Sequence, residues 1–308
     1  MTRIKVLKYF VPVLILFFAF SCDSDSDHLQ KEKEMRLLQQ YLEARNITVE
    51  PESSGLYFIS VDEGTGGKPE RNHWVIFRYT AKTINDNVFD TTDETVARIN
   101  NIYSSSVIYG DKRMMIESVN IAGVREGLTM MKEGGIAKLI IPSHLGYGSS
   151  RVGILPPYSS LIYDIELIKV ITDPAAYEKE IIEKYIAMYA DSTHLEVKEM
   201  ESGLFYIEIT EGTGDKFPEE DDYVSVYYKG TLTDGRVFDS NIGGPSFDFT
   251  IGAGRTIMGF EEGIRLMKTE GKSRLVVPSS LGYGAVGSGD LIPGFTPLVF
   301  DVELTDIR

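Results

Sequence analysis

The side chains that could ligate a metal or attack a substrate covalently are few and badly spaced for either task. The 308-residue chain holds one cysteine, Cys22, and four histidines, His28, His73, His144 and His194. No histidine stands four residues from another and no His-Glu-x-x-His occurs, so no metal site is expected. A lone thiol makes neither an internal disulfide nor a cysteine-rich zinc site. There is no Gly-x-Ser-x-Gly elbow and no Cys–His pair. Gly254-Arg255 and the glycines near Gly287 lack the Lys-Ser/Thr ending and the strand-to-helix setting of a phosphate loop. The sequence thus points away from nucleophilic, metal and phosphate chemistry, and no cofactor is expected.

The chain is long enough for two ordinary domains. Its hydrophobic residues (43%) and aromatic residues (11%) suffice for real cores. A net charge of −15 repels phosphate backbones and argues against a nucleic-acid partner. At the start, Arg3, Lys5 and Lys8 precede an apolar run from Tyr9 to Phe20. That run is shorter than the roughly twenty residues of a spanning helix and reads as a signal peptide. It ends Ala19-Phe20-Ser21-Cys22, which resembles a loose bacterial lipobox. The resemblance implies an acylated Cys22 anchoring the chain to a membrane in the cell envelope. Asp23-Ser24-Asp25-Ser26-Asp27 then reads as a polar tether.

The rest of the chain repeats itself. Ser54-Gly55-Leu56-Tyr57-Phe58 returns as Ser202-Gly203-Leu204-Phe205-Tyr206, and Tyr79 with Phe89-Asp90 returns as Tyr228 with Phe238-Asp239. Leu145-Gly146-Tyr147-Gly148 returns as Leu281-Gly282-Tyr283-Gly284 at a shorter offset, which places extra residues in the first copy between Asp90 and Gly123. A leading helix precedes each copy. Asp27 is read as the cap of the first, with a stripe of Leu29, Met35, Leu38, Tyr41 and Leu42. Asp173 and Pro174 start the second, with Ile181, Ile182, Tyr185, Met188 and Tyr189. Within a copy the segments read mostly as strands, with a turn at Thr233–Arg236 and one helix over Gly259–Lys268. The expected class is α+β, an antiparallel sheet wrapped on one short helix.

The second copy resembles the FKBP-type peptidyl-prolyl cis-trans isomerases over about residues 200–308. The landmarks are Tyr228-Lys229-Gly230, Gly235-Arg236-Val237-Phe238-Asp239-Ser240, Gly259-Phe260-Glu261-Glu262-Gly263, Leu281-Gly282-Tyr283-Gly284, Ile292-Pro293 and Leu298–Leu304. The expected organisation is a lipoprotein signal peptide at 1–21 and an acidic tether at 22–27. Two tandem FKBP-like domains follow, at 28–172 (with leading helix and insertion) and at 173–308 (with leading helix).

The resemblance implies rotation about Xaa-Pro amides in an aromatic pocket. Its catalytic residues would be Tyr228, Phe238, Asp239, Ile257, Phe260, Tyr283 and Phe300, with Phe247, Leu291 and Ile292 binding substrate. The Ile257 N–H and the Tyr283 hydroxyl would serve as donors. Two rim positions depart from the family: no arginine follows Asp239, and Ser288 stands where a histidine is common. The first copy matches at Tyr79, Phe89, Asp90, Ile121, Tyr147, Ile154, Leu155 and Tyr163. Its floor becomes Val124, and the wall matching Phe247 is expected near Ser105 with no aromatic. The first copy is therefore expected to have a shallower pocket with weak activity or none. Implied partners are unfolded or partly folded proline-containing envelope proteins. The whole resembles envelope isomerases of the Bacteroidetes type, some of them associated with gliding motility. The competing expectation is a chaperone or scaffold built from FKBP-like binding modules with little turnover.

Overall fold

The computed structural model describes residues 22–308. The expected signal peptide (1–21) lies outside the described residues. Cys22 is described only as the first residue of a helix, so its expected acylation also lies outside.

The first domain runs α1 (Cys22–Ala44), β1 (Tyr57–Asp62), β2 (Trp74–Thr83), β3 (Val88–Thr91), α2 (Glu94–Ile99), β4 (Lys112–Met115), α3 (Ala122–Met130), β5 (Ile136–Ile141) and β6 (Leu161–Ile171). The second runs α4 (Pro174–Thr193), β7 (Lys198–Glu199), β8 (Phe205–Thr210), β9 (Tyr223–Leu232), β10 (Val237–Ser240), β11 (Phe247–Thr250), α5 (Met258–Arg265), β12 (Lys272–Val277), β13 (Gly287–Ser288), β14 (Ile292–Pro293) and β15 (Leu298–Ile307). The sheet orders match. The first reads β1-β5-β6-β2-β3 with β4 also on β2, and the second β7-β8-β12-β15-β9-β10 with β11 also on β9. Every pairing is antiparallel, which confirms the α+β class.

One helix crosses the inner face of each sheet at very close range. A Cβ on Gly259 would meet Val277 Cγ1 at 2.5 Å, and one on Gly263 would meet Leu275 Cδ1 at 2.4 Å. Gly123 and Gly127 stand in the same relation to Ile141 and Leu139 in the first domain. The two bare positions, four apart on one helix face, let the backbone settle onto the strands. The helix expected over Gly259–Lys268 ends at Arg265.

The leading helices pack on the opposite sheet faces. Leu38, Tyr41 and Leu42 meet Ile140 and Ile162, and Ile182 meets Val276 and Val299. The helix starts at Cys22 rather than at Asp27, so the stretch read as a tether is helical. Leu29, Met35 and Met188, expected in the stripes, are exposed instead. The docked faces carry Glu34 and Glu178 one turn before Leu38 and Ile182, and Met35 is thereby rotated away.

The first-domain insertion closes on itself. Asp93 caps α2 through the Thr95 and Val96 N–H groups, and the Gly110 N–H donates to the Thr92 carbonyl at 2.7 Å. The insertion between Asp90 and Gly123, whose placement would have interrupted this sheet edge, leaves it continuous, with β4 paired on β2. Phe77 pairs with Lys112 just as Val226 pairs with Phe247, so Lys112, not a residue near Ser105, occupies the Phe247 position.

Candidate active site

The second-copy residues converge. Tyr228 extends from β9 and its hydroxyl donates to Asp239 Oδ2 on β10 at 2.6 Å. Below them Phe260, on the first turn of α5, is buried and packs 5.4 Å from Tyr228 and 4.9 Å from Phe300. Phe238 meets Phe300 edge-on at 5.4 Å, and Phe247 meets Tyr228 edge-on at 5.9 Å. Offset and edge-to-face contacts are the favoured aromatic geometries, so the walls support one another. Ile257 caps α5; among the described residues its N–H reaches no backbone carbonyl, which leaves a donor at the helix start without a backbone partner. Tyr283 follows a 3-10 turn at Ser279–Leu281 and is 39% exposed. Ile292 and Leu291 come from the β13–β14 hairpin, with Ile292 buried and Leu291 half-buried.

Burial raises the Tyr228 pKa well above the ordinary phenol value, and the hydrogen bond and charge of Asp239 push it the same way. The phenol therefore stays protonated and keeps donating to Asp239. That fixes the carboxylate at the rim, where it accepts a charge-assisted bond. Gly230 makes room above: a Cβ there would sit 2.6 Å from Phe238 Cζ.

The first copy keeps the polar half of this arrangement. The Tyr79 hydroxyl donates to Asp90 Oδ2 at 2.8 Å, and burial followed by the Asp90 charge raises its pKa. Tyr163 lies 5.4 Å from Tyr79, with its own pKa raised by burial and then by the neighbouring Tyr147. Ile121 caps α3 as Ile257 caps α5. The apolar half is thinner. Val124 is the floor, Lys112 replaces an aromatic wall, and Ala81 fills the place of Gly230. Phe89 stands 6.3 Å from Tyr163. Ile154 is exposed, Leu155 is buried as Ile292 is, and neither lines the inter-domain cavity.

The first-copy residues face the second domain across a shared space. The site opens into a cavity of about 640 Å³ lined by Tyr79, Asp90, Val124 and Tyr147, and across the gap by Arg236 and Leu291 of the second domain. Much of this volume is the space between domains. The fuller aromatic lining, not the larger space, is what could desolvate an amide.

Two site-supporting residues escape sequence reasoning. Glu178, buried, accepts from the Ser279 N–H and Ser279 Oγ, each at 2.6 Å. Glu34 does the same for Ser143, and also accepts from Ser160 Oγ at 2.7 Å. Each leading helix thus anchors the turn that presents Tyr283 or Tyr147. The signal that could have revealed them was a glutamate recurring one turn before the buried stripe.

The family model for "FKBP-type peptidyl-prolyl cis-trans isomerase" matches residues 66–168 and 214–305. The chain belongs to that family, with one matched segment in each domain. Peptidyl-prolyl cis-trans isomerase FKBP10 of Bos taurus is 32% identical over 61% of this chain and 28% of its own length. FKBP-type peptidyl-prolyl cis-trans isomerase FkpA of Aeromonas hydrophila is 40% identical over 50% of this chain and 56% of its own length. This chain therefore spans only part of either relative. The crystal structure of FkpA from Escherichia coli is 36% identical over 44% of this chain and 61% of that one, with a TM-score of 0.38.

Proposed function

We propose that the second domain is a working peptidyl-prolyl cis-trans isomerase. Its substrates would be unfolded or partly folded proline-containing proteins of a bacterial cell envelope, to which acylated Cys22 would tether the chain. The observation that carries this reading is the Tyr228–Asp239 hydrogen bond set in a continuous aromatic cradle over Phe260. No helix among the described residues is long and apolar enough to cross a membrane, so the envelope assignment rests on the N-terminal sequence alone.

The chemistry follows from the amide. Its resonance sets a barrier of about 18–20 kcal/mol to rotation, and the planar form is the more charge-separated one. Burying it against Phe238, Phe247, Phe260 and Phe300 disfavours that planar form relative to the twisted one. The Ile257 N–H and the Tyr283 hydroxyl would hold the substrate carbonyl, and Asp239, fixed by Tyr228, would polarise the rim. No bond is broken and no proton moves.

The first domain, with the same donors but fewer aromatic surfaces, would hold polypeptide with little turnover. The inter-domain cavity favours that binding role. The test is proline isomerisation by the full chain beside Asp239→Ala, Tyr283→Phe and Asp90→Ala. The first two should lose about tenfold or more in kcat/KM, and the third should change little. Equal losses from Asp90→Ala and Asp239→Ala would assign turnover to both domains. Absence of turnover in the intact chain would leave the binding-module reading.

A further inference from the structure

The chain's single tryptophan lines the inter-domain cavity and reaches across it to the other domain. Trp74 opens β2 of the first domain and meets Phe295 of the second edge-on at 5.6 Å. Beside it Arg113, paired with Ile76 across β2 and β4, reaches the same loop. Its Nη2 donates to the Gly294 carbonyl at 3.2 Å, to the Phe295 carbonyl at 3.4 Å, and to Thr296 Oγ1. Gly294 is pressed between the domains: a Cβ there would meet Trp74 Cη2 at 2.8 Å and the Ala285 carbonyl oxygen at 2.0 Å.

Arg113 has no carboxylate within ion-pairing distance among the described residues, and its Nε is buried without an acceptor. Burial lowers its pKa. A desolvated cation with no carboxylate in contact is costly unless it is well hydrogen-bonded; the Glu178 charge helps it from a distance, and its direct acceptors are this loop.

The loop so held is a wall of the second site. Gly294 follows Ile292 by two residues, and Ile292 pairs with Ser288 across the β13–β14 hairpin. The Phe295 N–H donates to the Gly284 carbonyl at 2.9 Å, next to Tyr283. Shifting Gly294–Thr296 therefore shifts both the Ile292 wall and the Tyr283 donor. The matching loop of the first copy is held from within its own domain: Tyr158, at the Phe295 position, has Lys31 of the leading helix 5.9 Å from its ring centre and hydrogen-bonds through its hydroxyl with Asp27 and Ser149.

We propose that the first domain positions the substrate wall of the second. Trp74 and Arg113 clamp the Gly284–Pro297 loop in its peptide-receiving shape and are positioning residues for a site in the other domain. This rests on the second copy being the site that receives peptide.

The experiment uses the full chain with the tetrapeptide Ala-Leu-Pro-Phe as probe, reading isomerisation kinetics and the emission of the lone tryptophan. Peptide should shift Trp74 emission, and Asp239→Ala should weaken that titration. Arg113→Met should raise KM about fivefold and lower kcat by a smaller factor through the displaced Tyr283, and Arg113→Lys should recover part of both losses. Should Arg113→Met fail to fold, Trp74→Phe carries the same test with a smaller rise in KM. An unchanged KM in the folded variants, or emission blind to peptide that demonstrably binds, overturns the proposal. If wild type binds peptide without turnover, the isomerase reading fails, and the emission titration in wild type and Arg113→Met still decides the clamp.

Discussion

The two copies agree in how they hold their polar groups and differ in what surrounds them. Both keep the tyrosine–aspartate hydrogen bond, the bare-glycine helix seat and the glutamate that anchors the 3-10 turn. They part at the floor (Phe260 against Val124), at one wall (Phe247 against Lys112) and at the roof (Gly230 against Ala81). Orientation and desolvation are thus carried by separable sets of residues. The polar geometry is the same in both domains even where the aromatic lining is thinner.

The sharpest way to break this comparison is to exchange the floors. Phe260→Val removes a ring that touches Tyr228, Phe249 and Phe300. It should cost the second domain about 2–4 kcal/mol and most of its kcat/KM. Val124→Phe should be tolerated far better, because Val124 borders a cavity of about 640 Å³ that can receive the added ring. Thermal unfolding and peptide affinity of the two full-length variants measure both effects. Equal destabilisation would show that the first site is as closely packed as the second.

Next in size is the glutamate anchor. Glu178→Gln keeps an acceptor for the Ser279 N–H but turns the second oxygen into a donor, so the Ser279 hydroxyl must rotate to accept and two charge-assisted bonds become neutral ones, which should cost about 1–2 kcal/mol. Glu34 is half-buried, so Glu34→Gln should cost less even though Glu34 accepts one bond more. Denaturant unfolding of each variant reads the difference. If Tyr283 is held through this anchor, Glu178→Gln should also lower the isomerase rate while Glu34→Gln leaves it unchanged.

The sequence was most legible where chemistry and spacing act locally. The turn at Thr233–Arg236, the cap at Asp173 and the strands around Tyr228 and Phe300 stand where patterning put them, and the second-copy aromatics do meet. It was least legible where partners are remote. Lys112 was missed as the counterpart of Phe247 because a self-closed insertion hides the strand register. Glu34 and Glu178 look like solvated charges on a helix until the turn they cap is seen one hundred residues away. Trp74 and Arg113 meet the other domain, and nothing in their neighbours announces a surface that only the folded second domain supplies.

The smallest expected contrast concerns the outer faces of the sheets. In the first domain Asp164 takes Lys138 and Lys82 together, whereas in the second Asp301 takes the single fork of Arg274 at 2.6 and 2.7 Å. Burial pushes the Asp164 carboxyl up, but the hydrogen bonds and charges of the two lysines outweigh it and hold the pKa below its ordinary value of 3.8. A carboxyl with a lowered folded pKa stabilises the fold above its unfolded pKa, and that contribution fades as pH falls through the folded value. The group is partly solvated, so the effect should stay below about 1 kcal/mol. Asp164→Asn should therefore lower the first domain's melting temperature slightly at neutral pH and match wild type once the medium is acid enough to protonate the native carboxyl. A gap that persists in acid would mean that Asp164 acts through packing, and that the lysine pair and the arginine fork are equivalent solutions to covering the same strand.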